Sequence, residues 1–253
     1  MASSRKPRSA ELHAAIGRAA AELKRKRIVV GLSGGVDSVV LLHALSRAVP
    51  PVRAAHINHG LSPNAERWAG FCRRLCKGLG VPLTVRRVRV ARSGEGVEAA
   101  ARTARYAAFA KLGFDALALA HQLDDQAETV LMNLLRGAGA RGASGMPARA
   151  SFRGRRLVRP LLEVPREAIV AYAREHSLAW VEDETNLSDA FARNFIRLHI
   201  APLLSARYPR WREALARAAR HFARSDADAR ILLREFLAAK GLRAPSEAKL
   251  VDM

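Results

Sequence analysis

Residues 33–38 read Ser-Gly-Gly-Val-Asp-Ser, which combines small residues with two hydroxyls and one carboxylate. The two glycines allow backbone N–H groups to approach an anion without a Cβ in the way. A following helix would direct its positive end to the same place. The hydroxyls of Ser33 and Ser38 can donate hydrogen bonds to phosphate oxygens. Asp37 would repel phosphate unless a cation lay between them, so the segment predicts Mg²⁺ at Asp37. Because no Lys precedes the final Ser, the segment is not a Walker A loop.

A second polar cluster runs from His121 through Asp124 and Asp125 to Glu128. If one helix covers all of it, His121, Asp124 and Glu128 lie within about 60° of one face. The alternative is helix capping by Asp124 or Asp125, which is worth about 0.5–2 kcal/mol. Capping accounts for one aspartate but not for a histidine with three carboxylates, so the cluster predicts a functional site.

A third segment places Glu98, Arg102 and Arg105 on one helix face, because they are spaced by four and seven residues. Such spacing is typical of surface ion pairs. By itself, the segment therefore favours a surface ion pair over a functional site.

The chain is strongly basic, with 43 Lys and Arg against 23 Asp and Glu, a net charge of +20 and a pI of 11.4. A pI above about 9 with clustered arginines is typical of nucleic-acid-binding proteins. The alternative is a compositional bias toward Ala and Arg. No apolar run approaches the ~20 residues of a membrane helix. Cys72 and Cys76 are four residues apart, which favours buried thiols in a reducing compartment over a metal site.

Short apolar runs alternate with helical patterns along the first half of the chain. Such alternation predicts an α/β fold with a parallel sheet and helices on both faces. The polar segments 33–38, 56–60 and 121–128 each follow a predicted strand, and ligands bind beyond the carboxyl ends of such strands. We therefore expect one common site. The predicted strands are 27–32, 51–58, 81–90 and 115–120, and the predicted helices are 36–48, 63–78, 96–112 and 124–135.

The second half of the chain lacks this alternation. Residues 136–154 are rich in Gly and Arg and show no apolar period, which predicts a mobile loop that acts as a lid. From about Pro165 the pattern is helical again, and residues 205–253 form a separate helical segment. No capping signal precedes Met253, so we expect the protein to continue beyond it.

Seven further motifs occur in order along the chain. They are His56-Ile-Asn-His-Gly-Leu61, Gly96-Val-Glu-Ala-Ala-Ala-Arg-Thr-Ala-Arg-Tyr106, Asp124-Asp-Gln-Ala-Glu-Thr129, Leu135-Arg-Gly-Ala-Gly139, Arg159-Pro-Leu-Leu162, Asp183-Glu-Thr-Asn186 and Arg193-Asn-Phe-Ile-Arg197. The Ser-Gly-Gly-Val-Asp-Ser segment resembles the pyrophosphate loop of the N-type ATP pyrophosphatases. With the seven motifs, residues from about 25 to 205 resemble the bacterial tRNA(Ile)-lysidine synthetase family. The chain departs from that family at Gln122, where a second His is usual, and in its short C-terminal part.

The resemblance implies a Rossmann-like, adenine nucleotide alpha hydrolase-like catalytic domain in residues 1–205. A smaller and truncated helical domain would follow in residues 206–253. The enzyme would be a cytoplasmic ligase without membrane contact that uses ATP and Mg²⁺. Its partners would be the isoleucine tRNA with a CAU anticodon and free L-lysine. Cytidine O2 would attack the α-phosphate of ATP, and the lysine ε-amine would then displace AMP at C2.

The resemblance also implies roles for the polar segments. Carboxylates would hold the lysine α-ammonium and accept a proton from its ε-ammonium, while Arg105 or Arg102 would clamp the lysine carboxylate or a phosphate. The nucleotide-binding residues would be Ser33, Gly34, Gly35, Val36, Asp37, Ser38, His56 and Asn58. The catalytic residues would be Asp37, Arg105, His121, Asp124, Asp125 and Glu128. The contacts to tRNA or substrate would be Glu98, Arg102, Arg136, Arg141, Arg193, Asn194 and Arg197.

Two other functions remain open. The first is another adenylating enzyme of the same fold, either a tRNA thiolase or an amide ligase. A thiolase would be expected to show Cys-x-x-Cys pairs, which the sequence lacks, and an amide ligase would not need a net charge of +20. The second is a non-catalytic RNA-binding module, which would need neither the loop 33–38 nor the acids of 121–128.

Overall fold

The computed structural model describes residues 9–90, 97–182 and 192–240, without the side chains of residues 97 and 98. No helix among these residues combines the length and the apolar character needed to cross a lipid bilayer. The strands are β1 (Ile28–Gly31), β2 (Val52–Asn58), β3 (Leu83–Arg87), β4 (Ala116–Ala118), β5 (Arg149–Phe152) and β6 (Arg155–Val158). The helices are α1 (Ala10–Leu23), α2 (Val36–Ala48), α3 (Ala65–Leu79), α4 (Val97–Ala110), α5 (Leu123–Leu135), α6 (Ala140–Ala143), α7 (Arg166–Glu175), α8 (Ala192–Phe195), a π-helical turn (Ile196–Ile200), α9 (Ala201–Arg207) and α10 (Trp211–Ala239).

The strands form one six-stranded sheet in the order β3-β2-β1-β4-β6-β5. All neighbouring pairs are parallel except β5 and β6, which are antiparallel. β1 is central, because Ile28 pairs with both Val52 and Ala116. The strand order therefore reverses beside β1, and the carboxyl ends of β1, β2 and β4 surround the point where such sheets bind ligands. The predicted parallel α/β fold is confirmed.

Helices cover both faces of the sheet, which explains why β1 is apolar along its whole length. Successive side chains of a strand point to opposite faces. Ile28 and Val30 belong to the core cluster that includes residues of α1, α2 and α7. Val29 belongs to the cluster on the other face, together with Phe109 and Phe114.

The helix α2 is buried on several sides and positions the loop that precedes it. Val39 and Leu42 are both fully buried, and α2 has the predicted bounds of residues 36 and 48. The apolar pattern of this helix is continuous, so its length could be read from sequence alone. Its amino end is thereby fixed at the carboxyl end of β1.

The prediction of a mobile loop over residues 136–154 is wrong. This segment contains the short helix α6 and the strand β5, which forms a hairpin with β6. β5 is an edge strand in which Arg149 and Ser151 are exposed while Ala150 and Phe152 are partly buried. Because polar and apolar residues alternate over only four positions, no apolar run marks the strand in the sequence.

The helical segment predicted after residue 205 is present as α10, which packs against α5 and α6. Trp211, Ala216 and Ala219 are buried, and Trp211 Nε1 donates to Ser205 Oγ at 3.0 Å. Residues 241–253 lie outside the described part of the chain. Toward its carboxyl end α10 has exposed apolar side chains at Ile231, Leu232, Leu233 and Phe236.

A buried histidine makes the stability of this fold depend on pH. His43 of α2 is 6% exposed, and its Nδ1 lies 2.9 Å from the Tyr172 hydroxyl of α7. Burial, followed by the nearby His176 and Arg47, lowers the pKa of His43 from its ordinary value of 6.5. The folded protein therefore favours a neutral His43, whereas the unfolded chain takes up a proton as the pH falls through 6.5.

We expect the free energy of unfolding contributed by His43 to be lost as the pH falls below about 6.5, because only the unfolded chain binds the proton. In urea titrations at about pH 7.5 and about pH 5.5, His43→Gln should therefore lose less stability than the wild type. His221→Gln, on an exposed position of α10, should keep the wild-type dependence. Equal pH dependence in the wild type and His43→Gln would contradict this assignment.

Candidate active site

The turn between β1 and α2 has a conformation that requires glycine at Gly34. The φ angle of Gly34 is +100°, a region that residues with a Cβ rarely adopt. An added Cβ would also lie 2.8 Å from Val181 Cγ2. The Gly34 carbonyl accepts a hydrogen bond from the Val181 N–H at 3.0 Å. The loop is thus held in shape by a segment more than a hundred residues away in sequence.

The two serines of the loop have different environments. Ser38 is 5% exposed, and its Oγ accepts hydrogen bonds from the Ser33 and Gly34 amides at 3.1 Å each. The same hydroxyl donates to the Gly35 carbonyl at 2.9 Å. Ser38 therefore shapes the loop, and the predicted donation from its hydroxyl to a phosphate does not fit this arrangement. Ser33 is exposed, and its Oγ lies 3.0 Å from Ser38 Oγ and accepts from the Gly35 N–H at 3.3 Å, so its hydroxyl would have to turn away from Ser38 to donate to a phosphate.

The amino end of α2 provides a place for an anion. Gly35 is the N-cap residue, and no side chain in the described part of the chain caps this end through a hydrogen bond. The first N–H groups of a helix lack partners within the helix, and its dipole is positive there. Val36 is 5% exposed and anchors the first turn in the core. The loop and the helix end together suit a phosphate group.

Asp37 lies in the first turn of α2 and fits a cation. Its Oδ1 is buried and has no hydrogen-bond partner among the described residues, and its ion pair with Arg166 is long, at 3.8 Å. Burial, followed by the charge of Asp125, raises the pKa of Asp37 to about 6. A divalent cation would relieve both effects, and Mg²⁺ commonly binds to one or two carboxylates together with substrate phosphates.

His56 and Asn58, at the end of β2, are engaged with protein atoms. His56 is 4% exposed, and its Nδ1 donates to the Leu32 carbonyl at 2.8 Å. Asn58 is 5% exposed; its Nδ2 donates to Glu66 Oε1 and its Oδ1 accepts from the Gly60 N–H, both at 2.8 Å. The predicted nucleotide contact of Asn58 does not fit, because its amide already orders the turn after β2.

His59 lies within the polar segment 56–60 of the sequence analysis but was not named there as a site residue. It is half-buried, and its Nδ1 has no hydrogen-bond partner in the described part of the structure. Burial, followed by the charge of Arg105, lowers the pKa of His59 to about 4. The same criterion that selected His56, a polar side chain at the end of β2, would have identified His59. Its neutral ring and unpartnered nitrogen make it a candidate contact for a ligand.

His121 does not lie on the helix that carries the acids, so the prediction that it shares a helical face with Asp124 and Glu128 is wrong. The helix α5 begins at Leu123, and Gln122 is its N-cap. Gln122 Oε1 accepts from the Asp124 N–H at 2.7 Å, and Asp125 Oδ2 accepts from the Gln122 N–H at 3.1 Å. Gln122, at the position where the family named in the sequence analysis usually has a second His, therefore completes a capping box.

His121 is surrounded by positive charge. Its Nδ1 accepts a hydrogen bond from Arg159 Nε at 3.2 Å. Burial, followed by Arg159, Arg105 and Arg102, lowers the pKa of His121 to about 3. Arg159 begins one of the seven motifs of the sequence analysis, which gave it no role in the site; in the structure it directly follows β6. These groups form a basic zone, which we define as Arg102, Arg105, His121 and Arg159, and it suits an anion.

The buried carboxylate of Glu128 forms an ion pair with Arg197, whose side chain is 38% exposed. Glu128 is 2% exposed, and Arg197 donates to its two oxygens from Nε at 2.9 Å and Nη2 at 2.8 Å. Burial raises the pKa of Glu128, and the hydrogen bond from Arg197 opposes this. The predicted catalytic role of Glu128 and the predicted tRNA contact of Arg197 do not fit, because each group already satisfies the other.

Asp124 and Asp125 are paired less tightly. Arg212 Nε lies 3.2 Å from Asp124 Oδ1, and Arg193 Nη1 lies 3.6 Å from Asp125 Oδ1. Arg193 also donates to Thr129 Oγ1 at 2.9 Å, so it is not a free cation for RNA as predicted. The two aspartates are close enough to Asp37 to raise its pKa. These three carboxylates form an acidic zone, which we define as Asp37, Asp124 and Asp125.

The other predicted contacts differ in exposure. Arg136, at the end of α5, and Arg141, in α6, are exposed and fit contacts with a large ligand. Arg102 is exposed, and its guanidinium lies 5.1 Å from the centre of the Tyr106 ring. Asn194 is 9% exposed, which does not fit a tRNA contact. The side chain of Glu98 and the motif at residues 183–186 lie outside the described residues.

Comparison with known proteins identifies relatives of this chain. It is similar to the tRNA(Ile)-lysidine synthase of Enterobacter sp. (strain 638), with 47% identity over 201 residues, which cover 77% of this chain and 47% of that protein. It is similar to the tRNA(Ile)-lysidine synthase of Chromobacterium violaceum, with 51% identity over 197 residues, which cover 75% of this chain and 45% of that protein. The chain spans about half the length of these curated relatives.

A solved structure shares the fold. The U34-tRNA thiolase NcsA from Methanococcus maripaludis matches with a TM-score of 0.65 and 18% identity, and the match covers 85% of this chain and 79% of that chain. At this identity the likeness concerns the fold alone.

A family comparison covers most of the chain. Residues 9–204 match the PP-loop domain family. The matched range includes the loop before α2, both charged zones and the Glu128–Arg197 ion pair. The chain therefore belongs to the PP-loop domain family.

Proposed function

We propose that this chain carries the catalytic part of a tRNA(Ile)-lysidine synthase. In the proposed reaction, O2 of the wobble cytidine in the CAU-anticodon isoleucine tRNA attacks the α-phosphorus of ATP, the bond to the bridging oxygen breaks, and pyrophosphate leaves. The ε-amine of free L-lysine then attacks C2 of the adenylated cytidine. The C2–O2 bond breaks, AMP leaves with that oxygen, and the lysine nitrogen loses a proton. The products are lysidine in the RNA, AMP and pyrophosphate.

The observation that carries this proposal is the identity of 47% and 51% to two curated tRNA(Ile)-lysidine synthases over about 200 residues. The chemistry of the site supports it. Both half-reactions handle phosphate, which suits the open amino end of α2. Lysine carries both signs of charge, and the acidic zone and the basic zone lie at the same edge of the sheet.

The ATP phosphates would bind at the loop before α2, through Ser33, the backbone near Gly35 and the first turn of the helix. Asp37 would hold Mg²⁺, which neutralises charge on the leaving pyrophosphate. In the described part of the chain, no group of three metal-ligating side chains could hold the ion alone. Phosphate oxygens and water would supply the other ligands, as is usual for Mg²⁺.

Lysine would bind between the two charged zones. Asp124 and Asp125 would hold its ammonium groups, and Arg105 or Arg102 would hold its carboxylate. An ammonium with a pKa near 10.4 must lose a proton before it can attack at neutral pH. Burial raises the pKa of Asp124, and we assign the proton acceptor to Asp124 on that ground.

The tRNA would contact exposed arginines near the site, including Arg136 and Arg141. Each phosphate contact should contribute a slope of about −0.7 to −0.9 to the dependence of log K on log salt. We assign residues 1–205 to the catalytic domain and propose that the helical segment after it, described as α10, supports tRNA docking. The reaction would take place in the cytoplasm.

A tRNA thiolase is the second candidate, because the fold of this chain is also that of NcsA, a tRNA thiolase, and is therefore compatible with such an activity. The cysteines argue against it. Cys72 and Cys76 are both buried, and burial raises the pKa of Cys72 to about 12 and that of Cys76 to about 11. Iron–sulfur ligation and sulfur transfer both require accessible thiolates.

The reaction can be tested directly. The purified chain is incubated with ATP, Mg²⁺, radiolabelled lysine and the CAU isoleucine tRNA, with the CAU methionine tRNA as the matched control. We expect label in the isoleucine tRNA and release of pyrophosphate. Pyrophosphate release without lysine transfer would favour another adenylating enzyme. No pyrophosphate release with either RNA would contradict adenylation by this chain.

Asp37→Asn should lower the rate of pyrophosphate release by at least about 100-fold, because an amide is a poor ligand for Mg²⁺. The same variant should be at least as stable as the wild type, because burial already disfavours the charged form of Asp37. Asp228→Asn, on an exposed position of α10, is the matched control for both measurements. A rate above about a tenth of the wild-type value would rule out Asp37 as the Mg²⁺ ligand.

Arg197→Met should destabilise the protein by about 1.5–3 kcal/mol, because it removes both hydrogen bonds to the buried Glu128 carboxylate and leaves only the 3.9 Å contact with Arg193 Nε. The double variant Glu128→Met with Arg197→Met should recover most of this loss in urea titrations. If the double variant is as unstable as Arg197→Met, the ion pair is not the cause. If the double variant is stable and adenylates tRNA but cannot transfer lysine, Glu128 binds lysine and our structural assignment is wrong.

A further inference from the structure

His121 is oriented by a residue from another strand. Arg159, which follows β6, is 6% exposed and donates from Nε to His121 Nδ1 at 3.2 Å. Its Nη1 donates to the Pro147 carbonyl at 2.6 Å, and its backbone N–H donates to the Ala148 carbonyl at 2.8 Å. The guanidinium therefore has a fixed position and a fixed plane against the histidine ring.

The turn that anchors Arg159 is itself attached to α5. Gln126 is 6% exposed; its Nε2 donates to the Met146 carbonyl at 3.0 Å, and its Oε1 accepts from the Met146 N–H at 2.8 Å. Gly145 has a φ of +64°, and a Cβ there would lie 2.8 Å from Val130 Cγ2. Gln126 of α5 thus holds the turn at Met146 and Pro147, and this turn holds Arg159. Arg159 in turn contacts His121, two residues before α5 begins.

This arrangement determines what His121 can do. Because Nδ1 accepts a hydrogen bond, the neutral ring carries its proton on Nε2. The low pKa of His121, about 3, keeps the ring neutral at physiological pH. Among the described residues, Arg159 is the hydrogen-bond partner of this ring. A neutral imidazole with a free N–H in a basic zone is suited to donate a hydrogen bond to an anion.

We propose that Arg159 is a positioning residue that holds His121 in the Nε2–H tautomer, so that this N–H donates to an anionic oxygen bound beside Arg102 and Arg105. The inference rests on the proposed function and deepens it. The oxygen belongs either to the α-phosphate or to the lysine carboxylate. The N–H acts without a proton transfer, so it works with the same tautomer throughout the reaction.

Nitrogen-15 NMR of the histidine-labelled full chain tests the tautomer. The His121 signals are assigned by their absence from His121→Gln. The charged groups that act on the ring are Arg102 and Arg105 of α4, Arg159 after β6 and Arg193 of α8. We expect a neutral ring with its proton on Nε2 from about pH 5 to about pH 8. A wild-type ring that titrates near pH 6.5, or that is protonated on Nδ1, overturns the proposal.

This measurement needs no tRNA, so its outcome is separate from that of the proposed function. A chain that fails to modify tRNA can still show the Nε2–H tautomer, and an active chain can fail to show it.

Arg159→Met removes the donor and the charge but keeps most of the side-chain length. We expect the His121 pKa to rise toward 6.5 and the affected step to slow by about 100-fold, as for a misplaced catalytic group. If the oxygen belongs to the α-phosphate, kcat for pyrophosphate release falls while KM for ATP stays constant. If it belongs to the lysine carboxylate, KM for lysine rises and pyrophosphate release is unchanged. The matched control is Arg156→Met, at an exposed position of β6. It should leave the His121 pKa and the rates of both steps unchanged.

Arg159→Lys separates positioning from charge. Lysine keeps the positive charge but lacks the planar fork that contacts both His121 and Pro147. We expect Arg159→Lys to carry out the affected step at least about tenfold more slowly than the wild type. Full activity of Arg159→Lys, or of a folded Arg159→Met, overturns the proposal. If Arg159→Met does not fold, the wild-type NMR spectrum and Arg159→Lys decide the outcome.

Discussion

The helices around the site depend on charge compensation at the amino end and along the buried face of α5. A carboxylate taken out of water is costly unless a cation and hydrogen bonds replace the water. Asp124, Asp125 and Glu128 receive arginines from three later elements: α8, the π-helical turn after it, and α10. The apolar cluster at the same junction is small and consists of Ala127, Ala201 and Trp211. The position of the C-terminal helices against the α/β domain is therefore set by ion pairs as well as by apolar contacts.

Asp37 is the exception to this compensation. The acids of α5 have arginines within 3.6 Å, whereas Asp37 has only the long contact with Arg166, and its Oδ1 is buried without a partner in the described structure. On the other side of the site, the basic zone around His121 attracts an anion. A site with a poorly compensated carboxylate on one side and a group of arginines on the other suits a metal–nucleotide complex and a zwitterion better than a single ion. Several arginines of this chain are paired with carboxylates inside the protein. The net charge of +20 is therefore not distributed evenly over the surface.

The sequence predicted the parts of the molecule that are encoded locally. β1, the loop before α2 and α2 itself lie in one continuous stretch with a strong apolar pattern, so the bounds of α2 and the position of Asp37 in its first turn could be derived from sequence. The pairing of Glu128 with Arg197 joins residues that are 69 positions apart, and sequence spacing carries no information about it. The same holds for Arg159 and His121, which are 38 positions apart. β5 was missed because its four residues alternate, and the role of Gln122 was missed because glutamine is an uncommon N-cap residue.

The burial of the two cysteines has a practical consequence for studying the motions of this protein. Cys72 Sγ lies 3.5 Å from the position that a Cβ on Gly34 would occupy, so the thiol packs directly beneath the loop before α2. The thiolate is the nucleophile that attacks alkylating reagents, and both the raised pKa and the burial of Cys72 protect it in the folded protein. Its rate of alkylation therefore reports how often the floor of the site opens to solvent. The native chain thus contains an intrinsic probe of local unfolding beneath its active loop, without any added label.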